Sequence, residues 1–255
     1  MIIDAHLHLD PSIDGSAETA AEILNFQLEE AGISKAIVLH LENQPWSPTI
    51  FANAILKYKS LVGFINIHPY NDSAAAQLKY GINTLGFTGL KLHPRLQEFQ
   101  IDDERTVKFV RFAGELGVPV LIDAFPDGTH LMQGFDPVKY ANLACKCPQT
   151  KMIWAHMGGH YVLDFMMLAK RLPNVYMDTS YSLLYYRGSS IVKNMIYSMR
   201  SMRFERIFYG SDYPDRPVRE SLDHSVEIFR TYGLCDDEIN KILSLNILSF
   251  LNESN

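Results

Sequence analysis

The 255-residue chain has only three cysteines, no excess of positive charge, no apolar run of membrane-spanning length and no glycine-rich phosphate loop. Cys145, Cys147 and Cys235 cannot build an even disulfide framework, and their spacing is not the paired CxxC of a structural zinc site. The expectation is a reducing, cytoplasmic compartment, with Cys145 and Cys147 in structural roles. Lys and Arg total 23 against 29 Asp and Glu, a net charge of −6. That leaves no basic stripe to neutralise phosphates, so nucleic acid is excluded as a partner. Without about 18 consecutive apolar residues there is no membrane partner either. Asp4, His6 and His8 also interrupt any signal-peptide core at the start. Neither GxGxxG nor GxxxxGK[ST] occurs, which removes the common nucleotide-binding signatures.

What the chain does have is a regular alternation. With 47% hydrophobic and 20% charged residues it can bury a full core. Short apolar, β-rich runs alternate with longer amphipathic stretches, the pattern of βα units around a parallel sheet. Eight strands are expected, over residues 2–5, 35–39, 61–67, 86–92, 119–123, 152–155, 175–178 and 206–209. Helices are expected over 17–31, 103–116, 161–172 and 218–232, with Gly32, Gly117 and Gly233 at helix-ending positions and a closing helix over 236–251. Eight units without a linker predict one (β/α)8 TIM barrel spanning 1–255, a single domain with a closing C-terminal helix.

A barrel gathers the C-terminal ends of its strands around one mouth, where catalytic residues collect. Strand one ends in Asp4-Ala5-His6-Leu7-His8, and alternation puts His6 and His8 on one side, about 7 Å apart along the chain and close enough to chelate one ion. Strand six ends at His156, followed by Gly158 and Gly159, which suggest backbone opened for a ligand. Strand eight ends at Asp212, a carboxylate suited to ligate an ion and carry a proton. Strand four carries Lys91, His93 and Arg95, and strand five ends at Asp123. Each has a plainer reading: partly exposed imidazoles for His6 and His8, a core histidine for His156, a turn cap before Pro214 for Asp212, and a solvated loop cation for Arg95.

These strand ends, read as IIDAHLHL, GFTGLKLHP, ELGVPVLID, IWAHMGG, LPNVYMDTS and IFYGSDYP with KILSLNILSFL near the end, resemble the amidohydrolase-related family of the amidohydrolase superfamily. Its members are metal-dependent (β/α)8 enzymes that include hydrolases, lactonases and decarboxylases. The resemblance runs nearly end to end. It implies metal ligation by His6 and His8, a metal-binding or proton-shuttling role for Asp212, and general acid/base catalysis by His156. It departs at strand five, where the family usually reads PVLIHTG and this chain reads PVLIDAF. Asp123 therefore stands where a ligating histidine is usual. It is expected either to ligate, which would favour harder ions such as manganese over zinc, or to turn aside as a cap or salt-bridge partner.

The expected cofactor is one divalent metal ion, zinc first and manganese second, held by His6, His8, Asp212 and Asp123. Lys91 has three readings: a carbamylated bridge between two metals, a cation for a substrate carboxylate, or an interior residue neutralised by Asp123 or Asp212. The single-metal arrangement favours an uncarbamylated Lys91 that, with His93 and Arg95, binds a small-molecule substrate. The expected activity is metal-dependent hydrolysis of an ester, lactone or amide by an activated water. Non-oxidative decarboxylation on the same site and a catalytically impaired binding barrel are the alternatives. Tyr181, Tyr185 and Tyr186 read either as a pocket wall or as packing. Residues 195–202, rich in methionine, read either as an interface in a homo-oligomer or as packing toward the barrel.

Overall fold

The computed structural model describes residues 1–13 and 15–252. Eight parallel strands run in chain order around a nearly closed barrel: β1 (Ile3–Leu7), β2 (Lys35–Leu39), β3 (Leu61–Asn66), β4 (Gly89–Leu92), β5 (Val120–Ile122), β6 (Met152–Trp154), β7 (Val175–Asp178) and β8 (Ile207–Phe208). Hydrogen bonds from Ala5 N to Tyr209 O (2.9 Å) and from Asp212 N to His6 O (2.8 Å) join the last strand to the first. All eight expected strands are present: two keep their expected bounds, five are shortened by one to three residues, and β1 starts one residue later and runs on to Leu7. Helices form where the caps direct them. Ser16 Oγ accepts from Thr19 N ahead of Ala17–Ala31, which ends at left-handed Gly32, and Asp103 caps Glu104–Glu115.

Alternation sorts each strand into two faces. One face carries Ala36, Val38, Leu90, Val120, Ile122, Met152 and Trp154, packed in the main core with the surrounding helices. The other face builds a separate apolar interior from Ile3, Ala5, Ile37, Leu39, Phe64, Leu121, Ile153, Ala155 and Phe208. Two residues on from an inward Leu121 or Tyr176, the next inward position holds Asp123 or Asp178. An apolar floor thus passes directly into a charged mouth.

Strand β1 reaches this mouth by an irregularity. Asp4 pairs with Ala36 and Leu7 with Val38, so β1 spends one residue more than β2 between those pairs. The bulge lets Ile3 and Ala5 face the interior and still turns His6 and His8 inward. Buried Asp4 holds it, because its Oδ1 accepts from both His6 N and Ser211 N at 3.0 Å.

The closing segment is three pieces where one helix was expected. Asp236–Asn240 and Asn246–Asn252 flank a π-helical turn, Lys241–Leu245. Widening the helix frees the Ile242 carbonyl, which accepts from Tyr209 N at 3.0 Å. Asn246 Nδ2 donates to Phe204 O and Ile207 O, and Ile247 and Phe250 plug the interior against Phe208 and Tyr176. Met195, Met199 and Met202 are buried in the main core, so this segment packs toward the barrel.

Candidate active site

The cavity at the mouth, about 410 Å³, is lined by His6, His8, Lys91, His93, Arg95, Asp123, His156 and Asp212 with an aromatic wall. The eight candidate site residues therefore reach one cavity, where five of them form two sets and Lys91, His93 and Arg95 stand beside these.

The first set is His6, His8 and Asp212. Asp178 Oδ2 lies 3.0 Å from His6 Nδ1, and the Leu39 carbonyl lies 2.9 Å from His8 Nδ1. Both partners can only accept, so each Nδ1 carries the hydrogen and each Nε2 presents a lone pair. Those Nε2 atoms lie 3.3 and 3.6 Å from Asp212 Oδ1. Burial and Lys91 push His6 down to about 4, so its imidazole is neutral at physiological pH. Burial opposes ionisation of Asp212, but the surrounding imidazoles of His6, His8 and His156 outweigh it and hold the carboxyl well below its usual range. Asp212 is itself in the left-handed region, with φ of 58°. Gly210 allows the approach: a Cβ there would meet His6 Cβ at 2.8 Å and Ser180 Cβ at 2.9 Å.

The donor spacing fits a metal. Bonds of about 2.1 Å to a tetrahedral ion put neighbouring ligands roughly 3.4 Å apart, close to the separations seen here. Among the described residues, His6, His8 and Asp212 form one group with donor atoms within 4.8 Å of one another; His6, His156 and Asp178 form another. The second group is internally satisfied, because Asp178 accepts from His6 Nδ1, His156 N, Ser180 N and the Ser180 hydroxyl. Asp123 belongs to neither group.

The second set is His156 and Asp123. Asp123 Oδ1 lies 3.2 Å from His156 Nε2, an ion pair of buried partners. The structure therefore places Asp123 as a salt-bridge partner. Burial alone would lower His156, but the Asp123 hydrogen bond and the charges of Asp212, Asp123 and Asp178 overcome it and push it up to about 9. Its Nδ1 is held by the Ser180 carbonyl and hydroxyl, both at 3.0 Å. His156, Met157 and Gly158 all have positive φ. Gly158 serves this left-handed turn and close packing, since a Cβ there would meet the Phe165 ring at 2.1 Å; that packing, not an opening for ligand, explains the residue.

Lys91 is 1% exposed, and no hydrogen bond or ion pair to its ammonium is found among the described residues. Burial lowers it against the pull of Asp123, Asp212 and Asp178. His93 Nδ1 accepts from Leu96 N, which keeps the ring neutral, and burial pushes it down to about 3. Arg95 Nη1 donates to Asp127 Oδ2 at 2.7 Å, and its buried Nε has no partner. His130, in the short helix Gly128–Met132, is buried with its Nδ1 2.9 Å from the Phe125 carbonyl. Asp178, Ser180 and Asp4 were not singled out in the sequence. Asp178 is itself a charged strand end, the same signal that marked Asp123, while Asp4 shows no signal apart from the bulge it holds.

Two imidazoles, a carboxylate and a buried His–Asp ion pair thus meet at the mouth of a (β/α)8 barrel, the architecture of an amidohydrolase-type barrel. The chain belongs to the amidohydrolase family, whose profile matches residues 3–252. No curated protein sequence matches it. Among solved structures it is similar to an uncharacterised TIM-barrel protein from Bordetella bronchiseptica (20% identity, 99% of each chain, TM-score 0.81). It is also similar to a probable 2-pyrone-4,6-dicarboxylic acid hydrolase from Acinetobacter baumannii (17% identity, 98% of this chain and 99% of that one, TM-score 0.72). A third is 5-carboxyvanillate decarboxylase from Sphingomonas paucimobilis (13%, 98% of each, TM-score 0.67). No helix among the described residues is long and apolar enough to cross a membrane.

Proposed function

We propose that the protein is a metal-dependent hydrolase of a small ester, lactone or amide carrying a carboxylate. The observation that supports this most strongly is the convergence of two tautomer-fixed Nε2 atoms on Asp212 Oδ1, with a protonated histidine across the same cavity. One divalent ion held by His6, His8 and Asp212 would acidify a water molecule and polarise the scissile carbonyl. Two imidazoles and one carboxylate suit zinc, with manganese the second candidate. His156 turns its Nε2 proton from Asp123 toward the carbonyl oxygen, where it stabilises the charge that develops in the tetrahedral intermediate. Asp212 accepts the proton of the attacking water and delivers it to the leaving group. Lys91, His93 and the unpartnered Nε of Arg95 bind the substrate's carboxylate.

A second reading, decarboxylation, draws on the same protonated His156, which would supply a proton to carbon while Lys91 and Arg95 hold the carboxylate. The test is elemental analysis of the protein purified without added metal, followed by a panel of lactones, esters and aromatic carboxylic acids. About one zinc or manganese per chain and acid release from a lactone or ester are expected. Release of carbon dioxide would move the assignment to decarboxylase, and a metal-free protein inert with and without added ions would remove both.

A further inference from the structure

Tyr181 follows β7 in a backbone conformation that costs energy. Its φ of 55° and ψ of −63° are those of the rare, strained γ-turn, closed by Ser182 N donating to the Ser180 carbonyl at 2.5 Å. A bulky residue persists there only where its surroundings over-determine it. Two features do so. The Ser180 carbonyl that closes the turn also receives His156 Nδ1, so the turn and the acid are held by one atom. The phenol ring is clamped as well: it stacks on Tyr185 with centroids 5.0 Å apart at 21°, and meets Phe125 edge-on at 4.9 Å.

All three rings line the catalytic cavity, and both Phe125 and Tyr181 stand edge-on to His156, at 5.9 and 6.2 Å. The same cavity is lined by Lys91 and by Arg95, whose buried Nε has no partner among the described residues, together with the carboxylates of Asp123, Asp127, Asp212 and Asp215. A molecule in contact with His156 therefore lies against these π-surfaces, in a cavity that also offers it Lys91 and Arg95. Aromatic rings reward a flat conjugated partner by stacking and edge contacts that a puckered saturated ring cannot reproduce.

We propose that Tyr181 is the specificity-determining residue of this cavity, its strained turn retained to hold an aromatic wall that selects a flat, conjugated ring acid over its saturated counterpart. The proposal rests on the reading of this cavity as the substrate site, and its test is binding, which needs no turnover. Calorimetry on the protein as purified compares benzoate with cyclohexanecarboxylate, acids of equal charge and ring size. Wild type is expected to favour benzoate about fivefold, and Tyr181→Leu to bring the ratio close to one. Strain is read separately from thermal unfolding of Tyr181→Gly and Tyr181→Ala. The glycine variant should melt higher, the reverse of the order at an unstrained position.

Equal binding of the two acids by wild type, binding of neither, a preference that survives Tyr181→Leu, or an alanine variant more stable than the glycine one would each overturn the proposal. A protein that keeps the preference yet hydrolyses nothing defeats the hydrolase reading alone. One that hydrolyses flat and saturated lactones equally, without a binding preference, defeats this proposal alone.

Discussion

The two ends of the barrel interior are made by the same strands and obey opposite rules. At the floor, Ile3, Ile37, Phe208, Ile247 and Phe250 bury apolar surface with no charge among them. At the mouth, two or three residues further along, Lys91, Asp123, Asp178 and His6 are 1% exposed or less. Burying a charge is costly unless it is paired, so the carboxylates and imidazoles of the mouth are held through one another, whereas the floor is stable on its own account. The difference shows where stability is made and where it is spent: substitutions at one end should act on folding and at the other on chemistry.

The sharpest contrast comes from Asp212→Asn, which removes the carboxylate both imidazoles face. Bound metal should be lost and kcat should fall at least about 10³-fold. The fold should survive, because asparagine tolerates the left-handed backbone at this position. Metal analysis and thermal melting of one preparation check both halves. A melting temperature that collapses with the metal would erase the contrast between the two ends.

At the floor, Phe250→Ala should do the reverse. It leaves a hole against Tyr176 and Phe208 and should cost about 3–5 kcal/mol in urea unfolding, with metal content and kcat at 25 °C retained.

A smaller effect follows from the sign of the His156 shift. A histidine raised from 6.5 to about 9 adds stability that is complete below pH 6.5 and is lost as pH climbs through 9. Asp4, raised from 3.8 to about 7, loses its contribution over that lower range, while His93, lowered to about 3, gains there, so the two oppose each other below pH 7. Between 6.5 and 9 the contribution that falls is that of His156, opposed by Lys91, whose buried and lowered ammonium gains as pH rises. Comparing urea midpoints of the metal-free wild type and His156→Asn at both ends of that window should show a decline of a few kcal/mol in the former that is much reduced in the latter. The same variant should retain metal and lose kcat. Lost metal would show that His156 ligates.

Most of the architecture was legible because period and punctuation are local properties. Eight inward-outward strands and Gly32 as a stop can be read from neighbours in the chain. His6, His8, His156 and Asp212 were legible for a related reason, since strand ends in a barrel share one mouth. The pairing of Asp123 was not, because ligation and a salt bridge to His156 differ by which side of that mouth the carboxylate turns to, a matter of tertiary distance. Asp178 was passed over as the last residue of a strand, although its hydrogen bonds to His6 and His156 tie the two halves of the site together. The π-helical turn at 241–245 left no local mark, because its cause is Tyr209, some thirty residues upstream.

The extra residue in β1 acts like a frameshift in the register of side chains. Upstream of it, odd-numbered residues feed the packed floor; downstream, even-numbered ones feed the reactive rim. Removing Leu7 would restore a regular strand and make the two histidines consecutive, so that alternation turns His6 toward the helices, without altering any neighbouring strand. A catalytic barrel and an inert one with the same core can thus lie a single codon apart.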